Sequence, residues 1–89
     1  YNDMGVAYFY KKDYTKAEAS FLKAIELAPN DSLGYNSLGL LYVTLGRIEE
    51  GRRAWEKGLE VNPYADGIRR NLIRLEEKLE ASPSAFPQE

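Results

Sequence analysis

The 89-residue sequence has neither cysteine nor histidine. Without cysteine there is no disulfide framework, thiolate nucleophile or thiolate metal site, and without histidine no imidazole serves as acid, base or ligand. Much enzyme chemistry is removed at once, and no metal or organic cofactor is expected. Neither sign of charge prevails: 12 Lys and Arg stand against 14 Asp and Glu, a net charge of −2, and none of the stretches 1–31, 32–65 and 66–89 departs from balance by more than one charge. A polyanion-binding surface is not expected, and nucleic acid drops out as a partner. No apolar run approaches the ~20 residues that span a bilayer, and the start has no signal-peptide pattern, so membrane insertion is not expected either. The single methionine stands at position 4, and without an initiator the chain reads as a fragment. The missing cysteine suits cytoplasm or periplasm; the cytoplasm is favoured.

What is present is a period. Tyr1, Asn2, Gly5, Tyr8, Lys23, Glu26 and Pro29 recur, identity for identity, as Tyr35, Asn36, Gly39, Tyr42, Lys57, Glu60 and Pro63. A fixed spacing of this size marks a solenoid, whose units bury their apolar faces by stacking on one another. The 44% apolar content is ordinary for a folded chain.

The spacing of apolar residues within each unit is helical. Tyr1, Met4, Gly5, Tyr8 and Phe9 form one helical face that runs to about Lys11. Asp13 is placed to cap a second helix with the stripe Tyr14, Ala17, Phe21, Ala24 and Ile25, ended by Pro29. Asn30, Asp31 and Ser32 offer side-chain oxygens to start a third, carrying Tyr35, Leu38, Gly39, Tyr42 and Leu45, and Gly46 supplies a left-handed stop. A fourth starts near Ile48, with Glu49 and Glu50 at its positive end, and closes at Pro63. Asp66 opens a fifth, striped by Ile68, Leu72, Leu75 and Leu79. Residues 82–89, with Pro83 and Pro87, read as disordered.

The series Tyr1-x2-Met4-Gly5-x2-Tyr8, Ala17-x3-Phe21, Ala24, Pro29 resembles the signature of the tetratricopeptide repeat family, and Tyr35-x2-Leu38-Gly39-x2-Tyr42 repeats it. The second unit departs at Gly51 and Gly58, where the family usually has alanine, and at Trp55, where it usually has tyrosine or phenylalanine. Gly51 and Gly58 lie on Trp55's helical face, so their missing methyls are expected to make room for the indole. Arg69, Ile73 and Glu76 break the pattern, which suits a solvating cap. The resemblance implies an all-α fold, a right-handed α-solenoid of antiparallel helix pairs: a hairpin over 1–31, truncated at its start, a second over 32–65, a capping helix over 66–81 and the tail.

It also implies a concave groove lined by Asn2, Val6, Phe9 and Tyr10, by Leu33, Asn36, Ser37, Leu40, Val43 and Thr44, and by Arg70 and Arg74 of the cap. A protein or peptide segment is the expected partner. Asn2 and Asn36, whose amides both donate and accept, are the candidates to grip its backbone, and Val6, Phe9, Leu40 and Val43 to form its apolar pocket. The plain alternatives are an asparagine tolerated on a half-exposed face and aromatics partly buried by stacking. For Arg69, Arg70 and Arg74 the plain reading is a solvated face neutralised by Asp66, Glu76 and Glu77. Some members of the family clamp a chaperone's C-terminal carboxylate with lysine, asparagine and arginine. Those positions hold Asn2, Val6, Ser37, Gly67 and Asn71 here, which argues against that specificity.

No nucleophile-and-base pair, phosphate loop or carboxylate cluster stands at diagnostic spacing. The expected function is a non-catalytic interaction module; the alternatives are a substrate-recruiting or regulatory arm of a larger enzyme and a self-association element. An uncovered edge around Met4 and Ala7 is expected to favour weak homo-oligomers or a preceding repeat. Phe86, between two prolines, resembles a linear ligand for a groove.

Overall fold

A computed structural model describes residues 1–81, which form five helices: α1 (Asn2–Tyr10), α2 (Tyr14–Leu27), α3 (Ser32–Thr44), α4 (Ile48–Val61) and α5 (Asp66–Ala81). No strand occurs among the described residues. The tail expectations, including Phe86, lie outside them. The helices pack as two hairpins, α1 with α2 and α3 with α4, joined through α2 against α3, with α5 against α4.

The starts of two helices follow from the caps. The Asp13 carboxylate accepts from Lys16 N at 3.3 Å and that of Asp31 from Leu33 N at 3.0 Å, each satisfying an N–H that a first turn leaves unpaired. Within each hairpin the turn has one geometry, used twice. Gly46 adopts φ 81°, with Gly46 N donating to Val43 O at 3.0 Å and Arg47 N to Tyr42 O at 2.8 Å. Thirty-four residues earlier Lys12 adopts φ 65°, with Lys12 N donating to Phe9 O at 3.0 Å and Asp13 N to Tyr8 O at 2.9 Å. This is the Schellman ending of a helix, and its left-handed residue suits glycine. In the first hairpin a lysine bears that conformation.

Two apolar clusters hold the stack. Ala17, Phe21, Leu38, Leu41, Tyr42 and Ala54 join α2, α3 and α4, with Val6, Tyr8 and Phe9 of α1 packed on them. Trp55, Ile68 and Leu75 join α4 to α5, flanked by Val43, Leu59, Leu72 and Leu79. Phe21 and Ile68 are almost wholly buried, each worth about 2–3 kcal/mol of transfer free energy.

Close helix approach depends on glycine. A Cβ on Gly5 would lie 2.5 Å from Phe21 Cε1, and one on Gly39 would overlap the indole of Trp55. The expectation for Gly51 and Gly58 is corrected by the packing. A methyl on Gly51 would meet Val43 Cγ2 at 2.5 Å and Gly39 O at 2.9 Å, and one on Gly58 would meet Ile68 Cδ1 at 2.5 Å and Tyr35 Cβ at 3.1 Å. These two residues clear space for α3 and α5, and Gly39 clears it for Trp55. Helical register put all three α4 residues on one broad face; it does not say which neighbour each meets.

Candidate peptide-binding groove

α1 and α3 lie side by side with their buried residues turned toward α2 and α4. Their other faces meet around a small hollow of ≈ 80 Å³ lined by Val6, Phe9, Tyr10, Phe21, Ser37 and Leu40. Five of these residues belong to the expected groove. Val6 and Leu40 stand one repeat apart, and Phe9 is fixed edge-on against Tyr10 and Tyr14, with ring centroids 5.6 and 5.8 Å away. Leu40 and Tyr10 remain largely exposed, whereas Phe21 is buried and forms the floor. The walls are apolar apart from the Ser37 hydroxyl and the Tyr10 phenol, so the hollow suits an apolar side chain delivered by an extended chain. Phe21 was legible as a packing residue; its second role as floor follows from the gap left at Gly5.

The remaining expected residues are distributed elsewhere. Asn2 and Leu33 line a second hollow of ≈ 220 Å³, with Tyr1, Ala24, Leu27, Ala28, Asp31 and Gly34. The Asn2 Oδ1 is buried and accepts no hydrogen bond among the described residues, an arrangement that favours an N–H donor. Asn36 differs from its repeat-mate. Its Oδ1 accepts from Asn71 Nδ2 at 2.9 Å and its main-chain carbonyl accepts from Trp55 Nε1 at 3.0 Å. Asn36 thus fastens α3 to α4 and α5, and its Oδ1, unlike that of Asn2, is already engaged within the fold. The sequence carries a signal in Asn71, which stands 35 residues on and brings a second amide to the same face.

Val43 is half-buried on the α4 side of α3. Its Cγ2 lies against the bare Cα of Gly51 and the side chain packs with the Trp55 cluster, so it stands apart from the apolar hollow. Thr44 is exposed at the end of α3. Arg70 and Arg74 are exposed on α5. The plain reading of the arginines holds for Arg69, whose guanidinium donates to Asp66 at 2.9 Å and to Pro63 O. Glu76 pairs with Arg52 at 3.7 Å, so it does not neutralise the two arginines. Met4 is 48% exposed and Ala7 is exposed, which leaves the outer side of α1 open.

One polar network couples the hairpins beneath the groove. Tyr42 O–H donates to Glu18 Oε2 at 2.6 Å, and the Arg47 guanidinium lies 4.4 Å over the Tyr42 ring while donating twice to Glu50, at 2.6 and 2.8 Å. Burial, then the hydrogen bond to Glu18, pushes the Tyr42 phenol up to about 12. The same bidentate pair lowers the Glu50 carboxyl below its ordinary range. These groups are tied up in structure. Among the described residues no three potential ligands converge on a metal site, and no helix is long and apolar enough to cross a membrane.

Comparison with known proteins agrees with this architecture. Two family models, both described as tetratricopeptide repeat, match residues 1–31 and residues 20–53. The chain is 32% identical over 74 residues to the Hsp70-Hsp90 organizing protein of Triticum aestivum, a match covering 83% of the chain and 13% of that protein. It is 34% identical over 77 residues to the meiotically up-regulated gene 93 protein of Schizosaccharomyces pombe, covering 86% and 20%. It is 32% identical over 69 residues to the peroxisomal targeting signal receptor of Saccharomyces cerevisiae, covering 78% and 11%. The chain therefore spans between 11% and 20% of the length of these relatives. With the repeat period, the paired helices and both family matches in agreement, the chain belongs to the tetratricopeptide repeat family.

Proposed function

We propose that the chain is a non-catalytic protein-interaction module that holds a short segment of another protein across the face formed by α1, α3 and α5. The observation that carries this reading is the convergence of Val6, Phe9 and Tyr10 from one hairpin with Ser37 and Leu40 from the next over Phe21. Two helices one repeat apart build a single apolar receptor there, and a segment lying across them meets both. The relatives' names point the same way, since one organises Hsp70 and Hsp90 and another is a receptor for a targeting signal. The carboxylate clamp is disfavoured, because its positions include Val6, which lines the apolar hollow, and Asn71, whose amide is bonded to Asn36. The module performs the same binding whether it acts alone or recruits substrate for a larger enzyme.

Selection from a displayed random-peptide library tests the reading, with Tyr10→Ala and Leu40→Asp as controls at exposed positions. Selected peptides are expected to bind the parent chain and to lose binding to both variants. Peptides that bind all three equally would refute the groove.

A further inference from the structure

Resting on the groove reading, we propose that the bound segment is extended and carries an acidic side chain about three to five residues from its apolar anchor, received by Arg70 and Arg74. In the repeat register Arg70 follows Asn2 and Asn36, and Arg74 follows Val6 and Leu40. The position that lines the apolar hollow on α1 and on α3 is therefore a guanidinium on α5.

The contacts of α5 fix how it is turned. Ile68, Leu72 and Leu75 pack on the Trp55 side, while the Asn71 amide donates to Asn36 and Gly67 lies beside the same side chain. At about 100° per residue, Arg70 and Arg74 fall on the flank of Gly67 and Asn71 that faces away from the core. They sit one turn apart, and both are exposed.

Their charges are unspent. Arg69 is held by Asp66 and Pro63 O, and Arg52 takes Glu76, but Arg70 and Arg74 make no ion pair among the described residues. Lys78 follows Arg74 by one turn; the acids on this flank are Glu77 and Asp66, the latter paired with Arg69. The other groove acid, Asp3, stands at the Ser37 register on α1, at the opposite side. The face thus runs from apolar at α1 and α3 to basic at α5. Paired guanidiniums offer a planar fork to a carboxylate and hold it by more than a point charge. With neighbouring helices ~8–10 Å apart and an extended chain rising ~3.3 Å per residue, the hollow and the arginines are about three to five residues apart.

The test is the same peptide selection run in parallel on the parent chain and on the double variant Arg70→Glu/Arg74→Glu, whose exposed sites leave the core intact. The parent is expected to enrich Asp or Glu at that distance from an apolar residue, and the double variant Lys or Arg at the same place. A parent-selected peptide should bind the double variant roughly five- to tenfold more weakly, with most of the difference removed by high salt. Peptides that depend on Leu40 but show no preference for acid, and bind the double variant equally, would overturn this inference and leave the groove reading standing. Peptides indifferent to both sites would overturn both.

Discussion

Gly39 and Trp55 touch so closely that no methyl fits between them: one on the Gly39 Cα would overlap the indole, whose N–H is held by the Asn36 carbonyl at 3.0 Å. The relation recurs 34 residues earlier between Gly5 and Phe21. Because Trp55 is buried against both α3 and α5, the ring has no free direction in which to retreat. Gly39→Ala is expected to destabilise the fold by about 1–3 kcal/mol, against the ~1 kcal/mol that better helix propensity would add. Urea unfolding followed by Trp55 fluorescence measures it; a variant as stable as the parent would show that the seam has room.

Lys12 offers the opposite experiment. It holds the left-handed conformation that Gly46 holds one repeat later, at φ 65°. A side chain there costs ~1–2 kcal/mol of backbone strain, partly offset by the greater unfolded-state freedom of glycine. Lys12→Gly should therefore stabilise the chain by about 0.5–1 kcal/mol and raise its melting temperature. A lower melting temperature would mean that Lys12 is not strained.

The Tyr42 phenol predicts a pH dependence. Its folded pKa is raised to about 12, above the ordinary 10, by burial and then by the bond to Glu18. A raised pKa means that the folded state holds the proton more tightly, so the contribution is intact below pH 10 and is lost as pH climbs through 12. Tyr42→Phe should cost about 1–3 kcal/mol at neutral pH, the value of a hydrogen bond to a charged acceptor. The gap in melting temperature between parent and variant should narrow between pH 10 and 12. A constant gap across that range would contradict the assignment.

Local chemistry made the helices legible. Asp13 and Asp31 cap where side-chain oxygens precede apolar stripes, and Gly46 turns where a left-handed residue is needed. Lys12 was hidden because lysine does not advertise positive φ, although its place 34 residues before Gly46 carries the information. The apolar hollow was legible for a related reason: Val6 and Leu40 share a register, and repetition brings them side by side. Asn36 and Val43 were not, because register fixes the face of a helix and not the neighbour it meets. That neighbour came from Asn71 for Asn36 and from the missing Cβ of Gly51 for Val43. The Gly51 and Gly58 reading failed for the same cause.

In the proposed complex a partner segment anchors over Phe21 between α1 and α3. Titration of a selected peptide into the isotope-labelled chain, followed residue by residue in NMR spectra, tests it most directly. The largest shifts are expected on Val6, Phe9, Tyr10, Ser37 and Leu40. Shifts confined to the α2–α3 connection at Leu27–Ser32, or to the outward faces of α2 and α4, would contradict it.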